Sequence, residues 1–239
     1  MPAPLPLILQ DASLTAQGRP ILQPLTLTLS EPRIGILGQN GSGKTTLLRL
    51  LAGLVPPTSG TIRLGDTDPA KDRKAALSQL GILFQNPDHQ ILFPTVEEEL
   101  AFGLTQQGHP NPAKAVADLL AAEGRTHWAK APTHTLSQGQ RQYLCLLAVL
   151  AMEPAWLLLD EPFAALDLPT RLRLTRKLAA LPQNLILISH DPAALTQTDR
   201  LLWVDQGRLV ADGPPAQILP AFTEAMEAQA TKDPDTTLP

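Results

Sequence analysis

A chain of 239 residues with 44% apolar side chains can bury a substantial core, in one large domain or a domain with a small partner. Its net charge of −4 and pI of about 5.7 argue against a broad nucleic-acid-binding face, and no run of Lys and Arg interrupts the sequence. The single Cys145 cannot close an internal disulfide, which fits a reducing compartment and a buried structural thiol. No basic segment leads into an apolar one at the N-terminus, so no secretory signal is expected. No apolar run approaches the ~18 residues that a membrane-spanning helix needs.

In chain order, Leu7–Leu9 and Ile21–Leu29 read as an antiparallel strand pair joined by the turn formers Gly18, Arg19 and Pro20. Ile34–Leu37 is the next strand. It runs into Gly38-Gln39-Asn40-Gly41-Ser42-Gly43-Lys44-Thr45-Thr46, which fits G-x-x-x-x-G-K-[ST] at every fixed position and opens a helix over 45–54. The glycines let successive backbone N–H groups turn toward an anion, and the helix adds the positive end of its dipole. Lys44 would reach the β- and γ-phosphates of a nucleotide, and the Thr45 hydroxyl would take one place on Mg²⁺.

Pro56, Pro57 and Gly60 then break the chain. Thr61–Leu64 is a short strand, 71–80 a helix, and Gly81–Phe84 a buried strand ending in Gln85, on the ligand side of an α/β sheet. From Asn86 to about Met152 the pattern is helical throughout, which predicts a helical subdomain inserted over 86–152. Within it, Thr95-Val-Glu-Glu98 has the spacing of a capping box, Ala113–Ala122 resumes the helical pattern after Pro110, Asn111 and Pro112, and Leu136-Ser137-Gln138-Gly139-Gln140 opens a helix through Leu150.

Trp156–Leu159 is a buried strand ending in Asp160 and Glu161, and Leu185–Ile188 is another ending in Ser189 and His190. Asp191 with Pro192 caps the following helix. Leu201–Val204 and Arg208–Ala211 flank Gln206-Gly207 as a hairpin. Residues 1–219 form the main domain. A helix is expected beyond Pro220, through Ala230, followed by a polar tail holding Pro234 and Pro239, so that 220–239 is a terminal extension.

The polar strand ends carry the chemistry. Asp160 suits a Mg²⁺ shell, while Glu161 can accept a proton from water attacking a γ-phosphate. His190 can donate to a γ-phosphate oxygen and hold that water and carboxylate in place, and Gln85 can touch both Mg²⁺ and the water. Each has a plainer reading: a strand-to-loop junction for the acids, a structural histidine, a glutamine capping its strand.

The order of these motifs, with Asp167 of Ala-Leu-Asp between Glu161 and His190, resembles the ATP-binding cassette (ABC) ATPases across nearly the whole chain. That resemblance implies an α/β P-loop NTPase core with a parallel sheet, an N-terminal antiparallel part and an inserted helical subdomain. It also implies ATP with Mg²⁺, and a second ATPase subunit, favouring a homodimer. By the same resemblance Ser137 and Gly139 contact the γ-phosphate held by the opposite subunit, and Gln138, Gln140 and Asp167 belong to that nucleotide site. Two departures stand out. Gln138 replaces the family's third signature residue, Gly, so its side chain must point away from the nucleotide. Ala16 stands where an aromatic residue usually stacks on adenine, an interaction worth about 1–3 kcal/mol per base in nucleic-acid sites.

A narrower resemblance concerns Phe84–Gln90 and Phe93–Gly103, which look like the segment after the Gln loop in ATPases of energy-coupling factor importers. It implies a transmembrane coupling protein docking near Gln85–Gly103, with Asp88, Glu97, Glu98 and Glu99 as available acids. It further implies a substrate-binding membrane subunit in the same complex, a place on the cytoplasmic face of the membrane, and no nucleic-acid partner. Cobalt or nickel is the first substrate expected, biotin or another vitamin the second. A non-transport ABC ATPase is more remote, because the stretch between Thr46 and Leu136 is too short for a coiled-coil arm and shows no sustained heptads.

Overall fold

The computed structural model describes residues 5–164 and 166–232. In chain order its first strands are β1 (Leu7–Ala16), β2 (Arg19–Leu29) and β3 (Arg33–Leu37), followed by helix α1 (Lys44–Leu51) and strand β4 (Ser59–Leu64). β1 pairs antiparallel with both β2 and β4, so the short strand read at Thr61–Leu64 completes a three-stranded sheet. The hairpin turn is tighter than expected. Gln17 and Gly18 take left-handed φ values of 51° and 73°, and Arg19 and Pro20 already pair with Ala16 and Thr15. Pro20 is tolerated because β2 is an edge strand.

The chain continues through α2 (Arg73–Leu77), β5 (Leu80–Leu83), α3 (Val96–Gln106), α4 (Pro112–Ala122), α5 (Gln138–Ala151), β6 (Trp156–Asp160), α6 (Leu168–Ala179) and β7 (Asn184–Ile188). It closes with α7 (Pro192–Leu195), β8 (Arg200–Asp205), β9 (Arg208–Gly213) and α8 (Pro215–Lys232). A six-stranded sheet runs in the order β5-β6-β7-β3-β8-β9, parallel except for β9, which is antiparallel to β8.

Strand alternation decides which side chains meet. Trp156 and Leu158 of β6, Ile186 and Ile188 of β7, and Ile34 and Ile36 of β3 pack with α1 beneath the antiparallel sheet. Leu157, Leu159, Leu185 and Leu187 point the other way, onto α5, α6 and α8. The same alternation puts Asp160 on the α1 face, directly against the phosphate loop. α5 belongs to two cores: Cys145, Leu146 and Val149 face the sheet, while Leu144 and Leu147 pack with Val96 and Leu100 of α3 and Leu120 of α4. Cys145 is fully buried, and burial pushes its thiol up to about 12.

Two sequence expectations need correction, and one helix must be added. The helix expected over 71–80 is only α2, because the Asp72 carboxylate accepts from Ala75 N–H at 3.0 Å to start it and Leu80 leaves to pair with Trp156. The terminal helix begins at Pro215, not beyond Pro220. Pro220 lies inside it, and burial of Ile218 and Phe222 against the sheet core holds the helix across the missing N–H. α6 was not anticipated at all. It starts where Asp167 Oδ1 accepts from Thr170 N–H at 2.8 Å, with Pro169 in its first turn and Leu174 and Leu178 buried. The tail residues Pro234 and Pro239 lie outside the described residues.

Candidate nucleotide site

β3, β6 and β7 are parallel, so the phosphate loop, Asp160–Glu161 and Ser189–His190 emerge at one edge of the sheet. The loop leaves β3 through Gly38, whose backbone runs so close to β8 that an added Cβ would lie 2.1 Å from Val204 O. Gly43, with φ of 107°, turns the chain into α1. Lys44 is 7% exposed, and its Nζ donates to the carbonyls of Gly38 and Gln39 at 2.8 Å each.

An open pocket of about 270 Å³ lies over this loop. Asn40, Gly41, Gly43, Lys44, Thr45 and Thr46 form its floor, and Gln85, Asp160, Glu161 and His190 its polar wall. The Thr45 hydroxyl donates to Asp160 Oδ1 at 3.1 Å. Burial pushes the Asp160 carboxyl above the ordinary range, opposed by that hydrogen bond and reinforced by Glu161. Burial likewise pulls the Lys44 ammonium below its ordinary value, against the pull of Glu161 and Asp160. One lysine facing two carboxylates leaves no positive surplus for a polyphosphate. A divalent cation held by Thr45 and Asp160 fits that charge balance. The Ser42 hydroxyl, inside the loop and not in the pocket lining, is a buried oxygen with no hydrogen-bond partner among the described residues.

Glu161 is held in a left-handed backbone, φ 48°, with its N–H donating to Ile188 O at 3.1 Å. A non-glycine residue there stores roughly 1–3 kcal/mol of strain, a feature that clusters at functional sites. Its Oε1 lies 2.9 Å from His190 Nδ1. This pairing sharpens the role expected of His190. A neutral ring that donates from Nδ1 to the carboxylate has no proton on Nε2. Donation to a phosphate oxygen therefore requires the doubly protonated ring, or release of the Glu161 contact.

Ser137, Gln138, Gly139, Gln140 and Asp167 do not line this pocket. Asp167 caps α6, and the Thr170 hydroxyl and N–H hold its carboxyl below the usual range. Ser137 and Gln140 make a reciprocal cap on α5: Ser137 N–H donates to Gln140 Oε1 at 2.7 Å and Gln140 N–H to Ser137 Oγ at 3.3 Å. Gly139 packs on α6, where an added Cβ would come within 2.9 Å of Thr170 Cγ2. Gln138 is exposed. One copy of the chain thus presents the phosphate loop and the Leu136–Gln140 segment as separate surfaces.

Sequence reasoning missed two contacts. Ile21 lines the pocket just beyond the hairpin turn from the exposed Ala16, and nothing marks it out from its neighbours in an alternating strand. Gln39 donates from Nε2 to Gln229 Oε1 of α8 at 2.5 Å, joining the phosphate loop to the terminal helix.

The four acids proposed for docking are also not free. Glu99 is 6% exposed and accepts from the N–H groups of Leu92 and Phe93 at 2.8 and 2.9 Å, so it is not available to a partner. Glu98 accepts from the Thr95 N–H and hydroxyl as the expected capping box, Glu97 pairs with Lys130, and Asp88 Oδ1 lies 2.9 Å from Arg141 Nε. Among the described residues, no helix is long and apolar enough to cross a membrane.

Residues 22–164 match the family model described as ABC transporter. The chain is 53% identical to the biotin transport ATP-binding protein BioM of Rhodobacter capsulatus, over 91% of this chain and 94% of that one. It is 34% identical to the energy-coupling factor transporter ATP-binding protein EcfA1 of Mycoplasma genitalium, over 88% of this chain and 78% of that one. The solved structure of cbiO1 from Clostridium perfringens, described as part of the ABC transporter complex cbiONQ, superimposes with a TM-score of 0.78. That alignment has 28% identity and covers 97% of this chain and 96% of the other. A phosphate loop, two strand-end carboxylates and a histidine meeting in one pocket, on a chain so matched, place it in the ABC transporter family as an ATPase coupled to transport.

Proposed function

We propose that this ATPase powers an energy-coupling factor importer whose substrate is biotin. The identity of 53% over 91% of the chain to a protein named for biotin transport carries the substrate reading. The Mycoplasma relative and the Phe84–Gly103 segment support the importer class. The vitamin expected second from the sequence now ranks above cobalt or nickel.

In this reading the loop N–H groups and Lys44 hold the ATP phosphates. Thr45, Asp160 and Gln85 hold Mg²⁺, which when bound neutralises charge on the phosphate oxygens. Glu161 takes the proton of the attacking water, and His190, 2.9 Å away, keeps that carboxylate oriented. Ser137 and Gly139 of a second copy close the nucleotide from the opposite side, at the positive end of α5. A membrane coupling protein docks near Gln85–Gly103 on the cytoplasmic face, where Leu92 and Phe102 are 70% and 39% exposed. Apolar contact, rather than the occupied acids, supplies the larger share of that interface.

The test is uptake of labelled biotin and of labelled cobalt in cells expressing the chain with the membrane subunits that co-purify with it, compared with cells expressing Glu161→Gln. Biotin uptake that the substitution abolishes is the expected result. Cobalt uptake in its place would move the substrate to the metal, and uptake indifferent to the substitution would remove this chain as the power source.

A further inference from the structure

Arginines scattered through the sequence are gathered by the fold into a second pocket, which shares no lining residue with the one over the phosphate loop. This pocket of about 270 Å³ lies between α5 and α6 and is lined by Arg125, Arg173 and Arg176 together with Trp128, Tyr143 and Gly139. No acidic residue lines it. Glu123, which accepts from the hydroxyl of the lining Tyr143, is already paired with Lys177. Asp167, further along α6, spends its carboxylate on the helix cap.

The field of Arg125 reaches Glu123 and that of Arg173 reaches Asp167, and it helps to hold both carboxyls below their ordinary values. None of the three arginines forms an ion pair among the described residues, and Arg173 donates only to its neighbour Thr170 Oγ1, at 3.1 Å. The Arg125 guanidinium is stacked 4.3 Å from the Trp128 ring centre and 5.0 Å from that of Tyr143, and its buried Nε has no hydrogen-bond partner. Stacking fixes the plane of the guanidinium while leaving its edge free. Three guanidinium groups without an ion-pair partner around one hollow, against a single unpaired neighbouring carboxylate at the α6 cap and in a chain whose net charge is −4, concentrate positive potential at one point. Forked arginine donors match the oxygens of a phosphate group better than a single-point anion.

We infer that the pocket framed by Arg125, Arg173 and Arg176 is a binding site for a phosphate group, distinct from the nucleotide phosphate loop and built against the first turn of α5. Gly139 forms part of its wall, so an occupant touches the same turn that carries Ser137 and Gln140.

Trp128 gives a local readout, because the other two tryptophans lie elsewhere: Trp156 is fully buried in β6 and Trp203 meets Phe222 edge to face. The full chain labelled with 5-fluorotryptophan is titrated with inorganic phosphate, with MgADP and with sodium chloride of matched ionic strength, and followed by fluorine NMR. The Trp128 resonance, identified through Trp128→Phe, should shift saturably with phosphate and not with chloride. The midpoint should rise at least about tenfold in Arg173→Gln/Arg176→Gln, whose exposed side chains leave folding intact. Movement with phosphate assigns the site to the free ion, and arginine-dependent movement with MgADP alone assigns it to a nucleotide phosphate. An unmoved Trp128 resonance, an equal shift with chloride, or a midpoint unchanged by the double substitution would overturn the inference.

Discussion

His190 separates two roles that a sequence cannot. Its Nδ1 lies against Glu161 Oε1, so the ring can act through the carboxylate, through a phosphate oxygen, or through both in sequence. His190→Ala should leave nucleotide affinity nearly unchanged and slow hydrolysis by ~10²-fold or more, the loss of one positioned donor. Single-turnover rates beside nucleotide titrations check this; a collapse of affinity with turnover retained would make the residue structural. Ala16 sets a different limit. It is exposed at the end of β1, and Ile21 offers the pocket only an aliphatic edge. Ala16→Tyr should tighten ATP binding roughly 5- to 150-fold, the worth of one stacked base, and GTP binding by a similar factor, because every base offers a π-face. Equilibrium titration with ATP and GTP measures both effects.

Elements were legible where local chemistry and packing agree. The β8–β9 hairpin, the Thr95 cap and the strands before Asp160 and His190 could be read because their signals lie within a few residues. α6 was not, although Asp167, Pro169, Leu174 and Leu178 spell a cap, a first turn and a buried stripe. Four basic residues from Arg171 to Lys177 dilute its apolar face, and one of them, Lys177, has its partner 54 residues back along the chain, beyond β6 and α5. That partner, Glu123, ends α4 and ties it to α5 through Tyr143 and to α6 through Lys177. Burial raises its carboxyl, but Lys177, the Tyr143 hydroxyl and Arg125 together hold it below the ordinary value. A lowered folded pKa contributes stability above the unfolded value of about 4.3, lost as pH falls through the folded value. Glu123→Gln should therefore lower the melting temperature at neutral pH, and the gap from the parent should close on acidification below about pH 4.3. Calorimetry across pH 3 to 7 reads this directly; a constant gap would place the effect in packing instead.

At the scale of the whole molecule, the phosphate loop and the Leu136–Gln140 segment stand on different surfaces. The second copy proposed to join them comes from resemblance alone, since no local signal in the sequence states an oligomer. Glu161→Gln keeps the side chain's size and removes the proton acceptor. This variant should run as a dimer with MgATP and largely as a monomer with MgADP or no nucleotide, by light scattering. A monomer under all three conditions would mean that an unlike ATPase or a membrane subunit is required to close the site. Within one copy, the 2.5 Å contact between Gln39 and Gln229 loops the far end of the chain back to its first functional turn. Shortening the chain after Thr223 removes Met226 and Gln229 from beside Gln39 and should change ATP affinity, read by equilibrium titration, while the sheet stays folded, which would make the last helix a brace for the loop that grips the nucleotide.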